Sequence, residues 1–213
     1  FGEEQKKMQA FLKSPEWKRT TAQGWGVNRA ETAEIFTANQ MYIRKFPDRA
    51  ASLLGKLHCQ HYGLPSFGKR LAAATREFVP FSGDPAGWFA QNGRFTDFSG
   101  KTIELPERTF ATHTSGKYTA ARVPLLDVIA EVLRQPDEVW LNNYDGKAFD
   151  CLNYIRFYRD KAINVVCRIE NGKTLAVRTW FEIAIRPTTR SGGKIAPEKD
   201  PRLKYRRGLL VKK

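Results

Sequence analysis

Three strand-like runs follow one another closely in the second half of the chain, and their short separations constrain the fold. LNYIRFY, AINVVCRIE and LAVRTWFEIAI occupy residues 152–158, 162–170 and 175–185, with RDK and NGK between them. Asn-Gly at positions 171 and 172 is a strong hairpin signal. A fourth run, EVWLNN, precedes them at residues 138–143. Together these runs predict a consecutive antiparallel meander of four strands.

An amphipathic segment, VPLLDVIAEVLRQP, lies directly before this meander. Pro124 fits the first turn of a helix, and four apolar residues then share one stripe. One helix followed by an antiparallel meander is an α+β architecture, in which the helix packs on the sheet. The stripe consists of Leu125, Leu126, Ile129 and Leu133.

The first half of the chain has a helical pattern. Residues 1–90 contain several short helical segments that end at prolines, and we expect this region to carry or assist the rest. Residues 80–100 are rich in Gly, Asp and aromatic residues, which predicts a loop and a boundary, and Lys101–Leu105 then forms a short strand. The predicted organisation is a helical region over residues 1–90, a domain over 91–186 and a basic extended tail over 187–213.

Positive charge indicates the class of partner. Lys and Arg number 36 against 22 Asp and Glu, a net charge of +14. Residues 186–213 alone hold ten basic and two acidic residues. This arm is expected to be solvated and drawn to phosphate backbones or to an acidic protein, although a plain solubility tail has the same composition. No apolar run reaches the roughly 18–20 residues of a membrane-spanning helix, so no membrane span is expected.

Strand alternation assigns side chains to the two faces of the predicted sheet. The face opposite the helix would display arginines interleaved with aromatic rings, a pattern that suits RNA, although an ordinary solvated sheet face would look the same. Thr179 falls with Val177 and Phe181 on the apolar face. The displayed residues would be Arg156, Tyr158, Arg168, Arg178 and Trp180.

Metal and nucleotide chemistry find little support in the sequence. His58, Cys59 and His61 are the densest group of candidate ligands, but a zinc site needs a third and usually a fourth ligand. The Gly-Lys pairs lack the earlier glycine of a phosphate-binding loop. We therefore expect neither a metal nor a cofactor.

His113 is the best candidate for acid–base chemistry. It lies in a segment rich in Thr, Ser and Gly that is predicted to be a loop, and Lys117 and Arg122 follow it. Metal-free RNA cleavage needs a proton acceptor for the ribose 2′-hydroxyl, a proton donor for the leaving oxygen and cations at the phosphate. A histidine titrates in the required range. Arg156, together with Tyr158 or Thr179, would complete such a site.

The stretch from about Leu105 to Ile185 resembles phage-associated nuclease domains of the barnase–EndoU–colicin–RelE superfamily. The segment ATHTSGKYTAARVPLLDVIAEVLRQPDEVW and the meander closing in VRTWF carry the resemblance. It implies a helix packed on a four-stranded antiparallel sheet, a metal-independent ribonuclease and a cognate immunity protein. His113 would then be the acid or base, Lys117, Arg122 and Arg156 would contact phosphate, and Thr179 would orient the scissile group.

Two features depart from the pattern of these nucleases. Thr179 falls on the face away from Arg156, so a bulge re-aims it, the face assignment slips by one residue, or Thr179 is structural. The domain also has a single histidine, which excludes a two-histidine mechanism.

The sequence thus predicts a toxin-type endoribonuclease that leaves a 2′,3′-cyclic phosphate, with tRNA a common target in the resembled family. An acidic immunity protein is the expected partner, and the expected setting is bacterial: action in the cytoplasm of a target cell after delivery within a larger secreted or phage-borne protein. The competing hypothesis is a non-enzymatic nucleic-acid-binding or phage structural module. A deoxyribonuclease is less favoured because DNA lacks the 2′-hydroxyl.

Overall fold

The computed structural model describes residue 59 and residues 62–142, 151–170, 174–183, 202, 205, 206 and 208–213. No helix in these ranges is both long and apolar enough to cross a membrane. The helices are α1 (Phe67–Ala72), α2 (Pro85–Gln91), α3 (Glu107–Thr114), α4 (Thr119–Arg122) and α5 (Val128–Arg134), with 3₁₀ turns at Gly116–Tyr118 and Val123–Leu125. The strands are β1 (Arg94–Thr96), β2 (Thr102–Glu104), β3 (Glu138–Asn142), β4 (Cys151–Tyr158), β5 (Lys161–Glu170), β6 (Thr174–Ile183) and β7 (Leu209–Lys212).

The chain divides into two compact units. The first combines Phe1–Phe67, Trp140–Cys151 and Arg186–Lys213, and the second combines Gly68–Val139 and Leu152–Ile185. The predicted boundaries at residues 90 and 186 stay predictions, because most of the first and third predicted segments lies outside the described residues.

The second unit is an α+β structure, as predicted. Its strands lie in the order β1-β2-β6-β5-β4, and the order continues into β3, which leaves the unit at Trp140. The four predicted strands are present as β3 to β6, but the expected four-stranded antiparallel sheet is wrong. Two further strands extend the sheet beyond β6, and β2 runs parallel to β6, with Ile103 opposite Leu175. β2 confirms the short strand expected at Lys101–Leu105, whereas β1, with three residues, is too short for alternation to reveal it in the sequence.

The described part of the first unit corrects the expectation for the basic tail. β7 lies beside β3 in the strand order. Arg206 is fully buried, donates to the carbonyl oxygen of Pro65 at 3.0 Å and accepts from the thiol of Cys59 through its own carbonyl oxygen. Arg206 and the residues of β7 are therefore not part of a solvated arm. The Leu-Leu-Val run at residues 209–211 is the signal that was missed, because an apolar run of this kind favours a strand over a solvated segment. Residues 187–201 lie outside the described ranges.

The amphipathic segment packs as its spacing predicts, although not as one helix. The 3₁₀ turn at Val123–Leu125 replaces its first turn, and α5 begins at Val128. Leu125, Leu126, Ile129 and Leu133 are all buried. Burial of such a stripe is the main favourable contribution to the stability of this layer.

An aromatic cluster holds α2 against α3. Trp88 of α2 is nearly parallel to Phe110 of α3, with ring centres 6.2 Å apart, and its indole nitrogen donates to Asp127 at 2.9 Å. Phe89 stacks on Phe110 at 4.4 Å. Phe110 precedes His113 by three residues, so this cluster fixes the helix that carries the histidine.

The prediction that residues 80–100 form a loop is wrong, because α2 and β1 lie within them. Asp84 caps α2 by accepting from the backbone nitrogen of Gly87 at 2.6 Å, and Pro85 occupies the first helical position. Asp followed by Pro is a helix-start signal. The helix has only seven residues and several glycines surround it, which hid the signal.

Trp88→Ala should lower the free energy of unfolding by about 3–5 kcal/mol, because it removes a buried indole and leaves a cavity among aromatic rings. Denaturant unfolding followed by circular dichroism measures this change. Val79→Ala is the matched control, since Val79 is 73% exposed, and it should change stability by less than about 0.5 kcal/mol. Equal effects of the two substitutions would contradict the role assigned to Trp88.

Candidate active site

His113 lies in the last turn of helix α3, not in a loop as predicted. Its segment is rich in Thr and Ser, which are poor helix formers because their hydroxyls compete for backbone groups. Here those hydroxyls bond within the helix instead: Thr112 donates to Arg108 at 2.8 Å and Thr114 donates to Phe110 at 2.9 Å, in both cases to the carbonyl oxygen four residues earlier. The helix therefore provides hydrogen-bond acceptors for the hydroxyl groups whose presence had predicted a loop.

The imidazole of His113 is held in one tautomer by its own helix. Its Nδ1 lies 3.0 Å from the carbonyl oxygen of Thr109. A carbonyl oxygen only accepts, so Nδ1 must carry the hydrogen. In the neutral ring Nε2 then has a free lone pair, which is the arrangement that a proton acceptor requires.

His113 stacks with two aromatic rings. The ring centre of Trp180 of β6 lies 5.2 Å from that of His113, and the two planes are inclined by 30°. The ring centre of Tyr118 lies at 5.9 Å, with the planes inclined by 18°. Trp180 is fully buried, His113 is half-buried and Tyr118 is 39% exposed. The stack thus runs from the core to the surface and leaves the imidazole at the boundary.

Arg122 and Trp180 form a reciprocal pair that positions this stack. The indole nitrogen of Trp180 donates to the carbonyl oxygen of Arg122 at 2.9 Å, and the guanidinium of Arg122 donates to the carbonyl oxygen of Trp180. The guanidinium also lies over the ring of Phe181, 5.1 Å from its centre. Two side-chain donors and two backbone acceptors are thereby paired between α4 and β6.

The surroundings of His113 favour its neutral form. Burial is the largest cause of a pKa below the ordinary value of 6.5, and the positive charge of Arg122 acts in the same direction. The hydrogen bond to Thr109 raises the pKa, and the charge of Arg178 lowers it further. At neutral pH the imidazole is therefore uncharged and able to accept a proton.

Lys117 and Arg178 lie beside the same stack. Lys117 belongs to the 3₁₀ turn after α3, is exposed, and holds its ammonium 5.2 Å from the ring centre of Tyr118. Arg178 is exposed and pairs with Glu170 at 3.1 Å. Of the predicted set, the structure thus brings together His113, Lys117, Arg122, Arg178 and Trp180.

Arg156 and Tyr158 do not join this group. Arg156 is 4% exposed; its guanidinium pairs with Glu131 of α5 at 2.7 Å and also donates to the carbonyl oxygen of Gln135. Tyr158 donates to the same carboxylate at 3.1 Å, and burial together with the negative charge of Glu131 raises the pKa of its phenol. The expectation that they face solvent is wrong, because they lie under α5 and a buried arginine needs a carboxylate partner.

A β-bulge at Arg178 corrects the predicted faces of β6. Val166 pairs with Thr179 and Cys167 with Val177, so Arg178 is an extra residue in the ladder. Trp180, opposite Val165, therefore turns toward α3 instead of being displayed with Arg178. Thr179, opposite Val166, keeps Phe181 on its face as expected, but Val177 lies on the opposite face with Trp180. Arg168, opposite Ala176, is half-buried. Roles for Thr179 and Arg168 stay predictions.

Sequence reasoning missed Tyr118 and Thr109. Gly116 has a φ of +57°, a left-handed conformation that favours glycine and ends α3. A glycine three residues after the histidine indicates that the chain turns back, which would have brought Tyr118 near the ring. The contact of Thr109 follows from its position four residues before His113 on a helix.

The described residues include only part of the candidate metal ligands. Among the described residues, no three His, Cys, Asp or Glu side chains form a group that could hold a metal ion. His58 and His61 lie outside the described residues. The expectation of no metal therefore stays a prediction.

Arg178→Gln should raise the pKa of His113, because it removes one of the cations that disfavour the charged imidazole. Histidine-detected NMR titration measures the pKa in each protein. The wild-type value should lie below 6.5, and Arg134→Gln, which removes an exposed arginine at the end of α5, should leave it unchanged. A wild-type pKa at or above 6.5 would contradict the electrostatics described here.

Comparison with known proteins identifies the family. Residues 80–211, well over half of the chain, match the family model described as phage-Barnase-EndoU-ColicinE5/D-RelE like nuclease2. The matched range contains α2 to α5 and the whole candidate active site. Searches of the curated proteins and of the solved structures gave no significant match. The resemblance seen in the sequence is thus confirmed: the chain belongs to the phage-Barnase-EndoU-ColicinE5/D-RelE like nuclease2 family.

Proposed function

We propose that this nuclease is an endoribonuclease that cleaves RNA without a metal ion. The observation that carries the proposal is the state of His113: a neutral imidazole with Nδ1 bonded to Thr109, Nε2 available and cations beside it. These features supply a proton acceptor and phosphate-binding charge at one place, as attack by a ribose 2′-hydroxyl requires.

The reaction begins with proton transfer from the 2′-hydroxyl to Nε2 of His113. The 2′-oxygen attacks the adjacent phosphorus, and the bond from phosphorus to the 5′-oxygen breaks. The products are a 2′,3′-cyclic phosphate and a 5′-hydroxyl. Arg122 and Arg178 stabilise the charge that develops on the phosphate, and Lys117 is the donor assigned to the leaving oxygen.

The second proton carrier is assigned to Lys117 by position. It is exposed beside Tyr118, whereas the Tyr158 hydroxyl donates a hydrogen bond to Glu131 and lies under α5. An ammonium in this position also contributes charge next to the leaving group. His113 and Lys117 together provide the two proton-transfer roles with one histidine.

A toxin role within this proposal implies an acidic inhibitor. Lys117, Arg122 and Arg178 would offer such a protein a set of cations next to the catalytic ring, so that inhibition would also block RNA. The proposed setting is a bacterial target cell that the domain enters as part of a larger secreted or phage-borne protein, with tRNA among the proposed substrates.

A second candidate function, a binding module without catalysis, is favoured by the net charge of +14 alone. Both functions predict RNA binding that weakens steeply with salt, so binding does not separate them. Formation of cleaved ends does.

His113→Gln should reduce RNA cleavage by at least about 100-fold, the usual contribution of a general base. Purified protein is incubated with total RNA in EDTA, and the ends are analysed for cyclic phosphate. Lys117→Gln should also slow cleavage, and Arg134→Gln is the matched surface control. Intact RNA with wild-type protein, or full activity of His113→Gln, would refute the assigned mechanism.

The pH dependence of kcat/KM provides a separate check. The base must be neutral, so the rate should fall as the pH falls through the pKa of His113, with a midpoint below 6.5. Arg178→Gln raises that pKa and should move this acid limb to higher pH, in addition to lowering the plateau. If the midpoint of the acid limb is the same in Arg178→Gln as in wild type, another group is the base.

A further inference from the structure

Tyr118 is an exposed aromatic ring with no task in the mechanism above. Among the described residues, the large hydrophobic side chains that are exposed are Val79, at 73%, and Tyr118, at 39%. Tyr118 lies next to the proposed base, with its ring inclined by only 18° to the imidazole of His113. A tyrosine ring at this position offers a partly exposed flat face on which a planar ligand can stack.

The ring of Tyr118 rests on a fixed support. Its backbone nitrogen bonds to the carbonyl oxygen of Ser115 at 3.3 Å, and the hydroxyl of Thr119 bonds to the carbonyl oxygen of Thr114 at 3.1 Å. Below it, His113 rests on the fully buried Trp180. A ring held in this way loses little conformational freedom when a planar ligand stacks on it.

The ligand must combine a flat ring with negative charge. Lys117 holds its ammonium 5.2 Å from the centre of the Tyr118 ring, and the positive charges of Arg122 and Arg178 act on the neighbouring imidazole of His113. A nucleotide has this combination, because its base stacks on aromatic rings while its phosphate pairs with cations.

We propose that Tyr118 forms a nucleobase subsite, on which an unpaired base next to the scissile phosphate stacks. The inference rests on the proposed ribonuclease function and adds the class of substrate: single-stranded or looped RNA. A base within a duplex stacks on its neighbours and is not available to Tyr118. In addition, the attacking 2′-oxygen must lie in line with the bond from phosphorus to the leaving 5′-oxygen. The geometry of an A-form helix does not permit this alignment.

Tyr118 should select for unpaired structure more than for base identity. Stacking uses the face that all four bases share, and it carries little sequence information. The phenol hydroxyl is not needed for stacking, so Tyr118→Phe should keep the function. Tyr118→Ala should lose it.

The test pairs protein variants with substrates that lack one base. Short RNAs contain a single ribose, flanked by deoxynucleotides, and an abasic residue replaces each neighbouring base in turn. With the intact substrate, Tyr118→Ala should raise KM about tenfold, within the range of one stacked base, while Tyr118→Phe and the control Val79→Ala leave it unchanged. Removal of the stacked base should raise KM to a similar extent for wild-type protein and have no further effect on Tyr118→Ala.

This comparison separates base stacking from mere support of His113. If Tyr118 only positions the imidazole, Tyr118→Ala lowers kcat and the penalty for the abasic residue stays the same as in wild type. That result overturns the proposal. Equal cleavage of a site placed in a loop and in a duplex overturns it too.

The proposed function and the subsite fail in different ways. If wild-type protein leaves all RNA intact, the proposed ribonuclease function is wrong. The subsite is then tested separately by the affinity for an all-deoxy single-stranded probe, measured by fluorescence anisotropy. The subsite is supported if Tyr118→Ala binds the probe more weakly than wild type and if this difference disappears with a probe that has no bases. Equal binding by Tyr118→Ala and Tyr118→Phe overturns it.

Discussion

The reciprocal hydrogen bonds between Arg122 and Trp180 are the constraint on which the site depends. Each residue donates through its side chain to the backbone carbonyl oxygen of the other, so helix α4 and strand β6 are joined at one point. A hydrogen bond of this kind contributes about 1 kcal/mol net, but leaving a buried donor unsatisfied costs more. The pair therefore fixes where Trp180 lies, and His113 rests on Trp180. The same arginine then lowers the pKa of that histidine.

The arginines near the sheet have different tasks, and burial decides between them. Arg156 lies under α5, where a charge without a partner would be costly, and it is paired with Glu131. Arg178 remains exposed at the bulge, paired with Glu170, and its charge reaches His113. Exposed pairs are weak, so a phosphate can compete for Arg178 at little cost. A substrate would have to break a buried pair to recruit Arg156.

Periodicity predicted the parts of the fold that repeat over several residues. The four strands β3 to β6 and the buried stripe of the amphipathic segment follow from alternation and helical spacing. Pattern reasoning failed where the structure depends on single contacts: β1 is too short, and α3 keeps its threonines through hydroxyl bonds to its own carbonyl oxygens. Residue chemistry alone identified His113 and two nearby cations, Lys117 and Arg122. Tyr118 was missed because a single turn at Gly116 brings it to the ring.

The bulge at Arg178 shows why the faces of β6 could not be read from alternation. In a regular strand Val177 and Trp180 point to opposite faces, because they are three residues apart. Because Arg178 is an extra residue between them, both turn to the side of their partners Val165 and Cys167. The strand thus places Val177 and the buried ring of Trp180 on the same face. Arg178 is left outside the ladder and is exposed. A single inserted residue therefore separates the exposed charge of Arg178 from the buried ring of Trp180, while His113 contacts that ring and is subject to that charge.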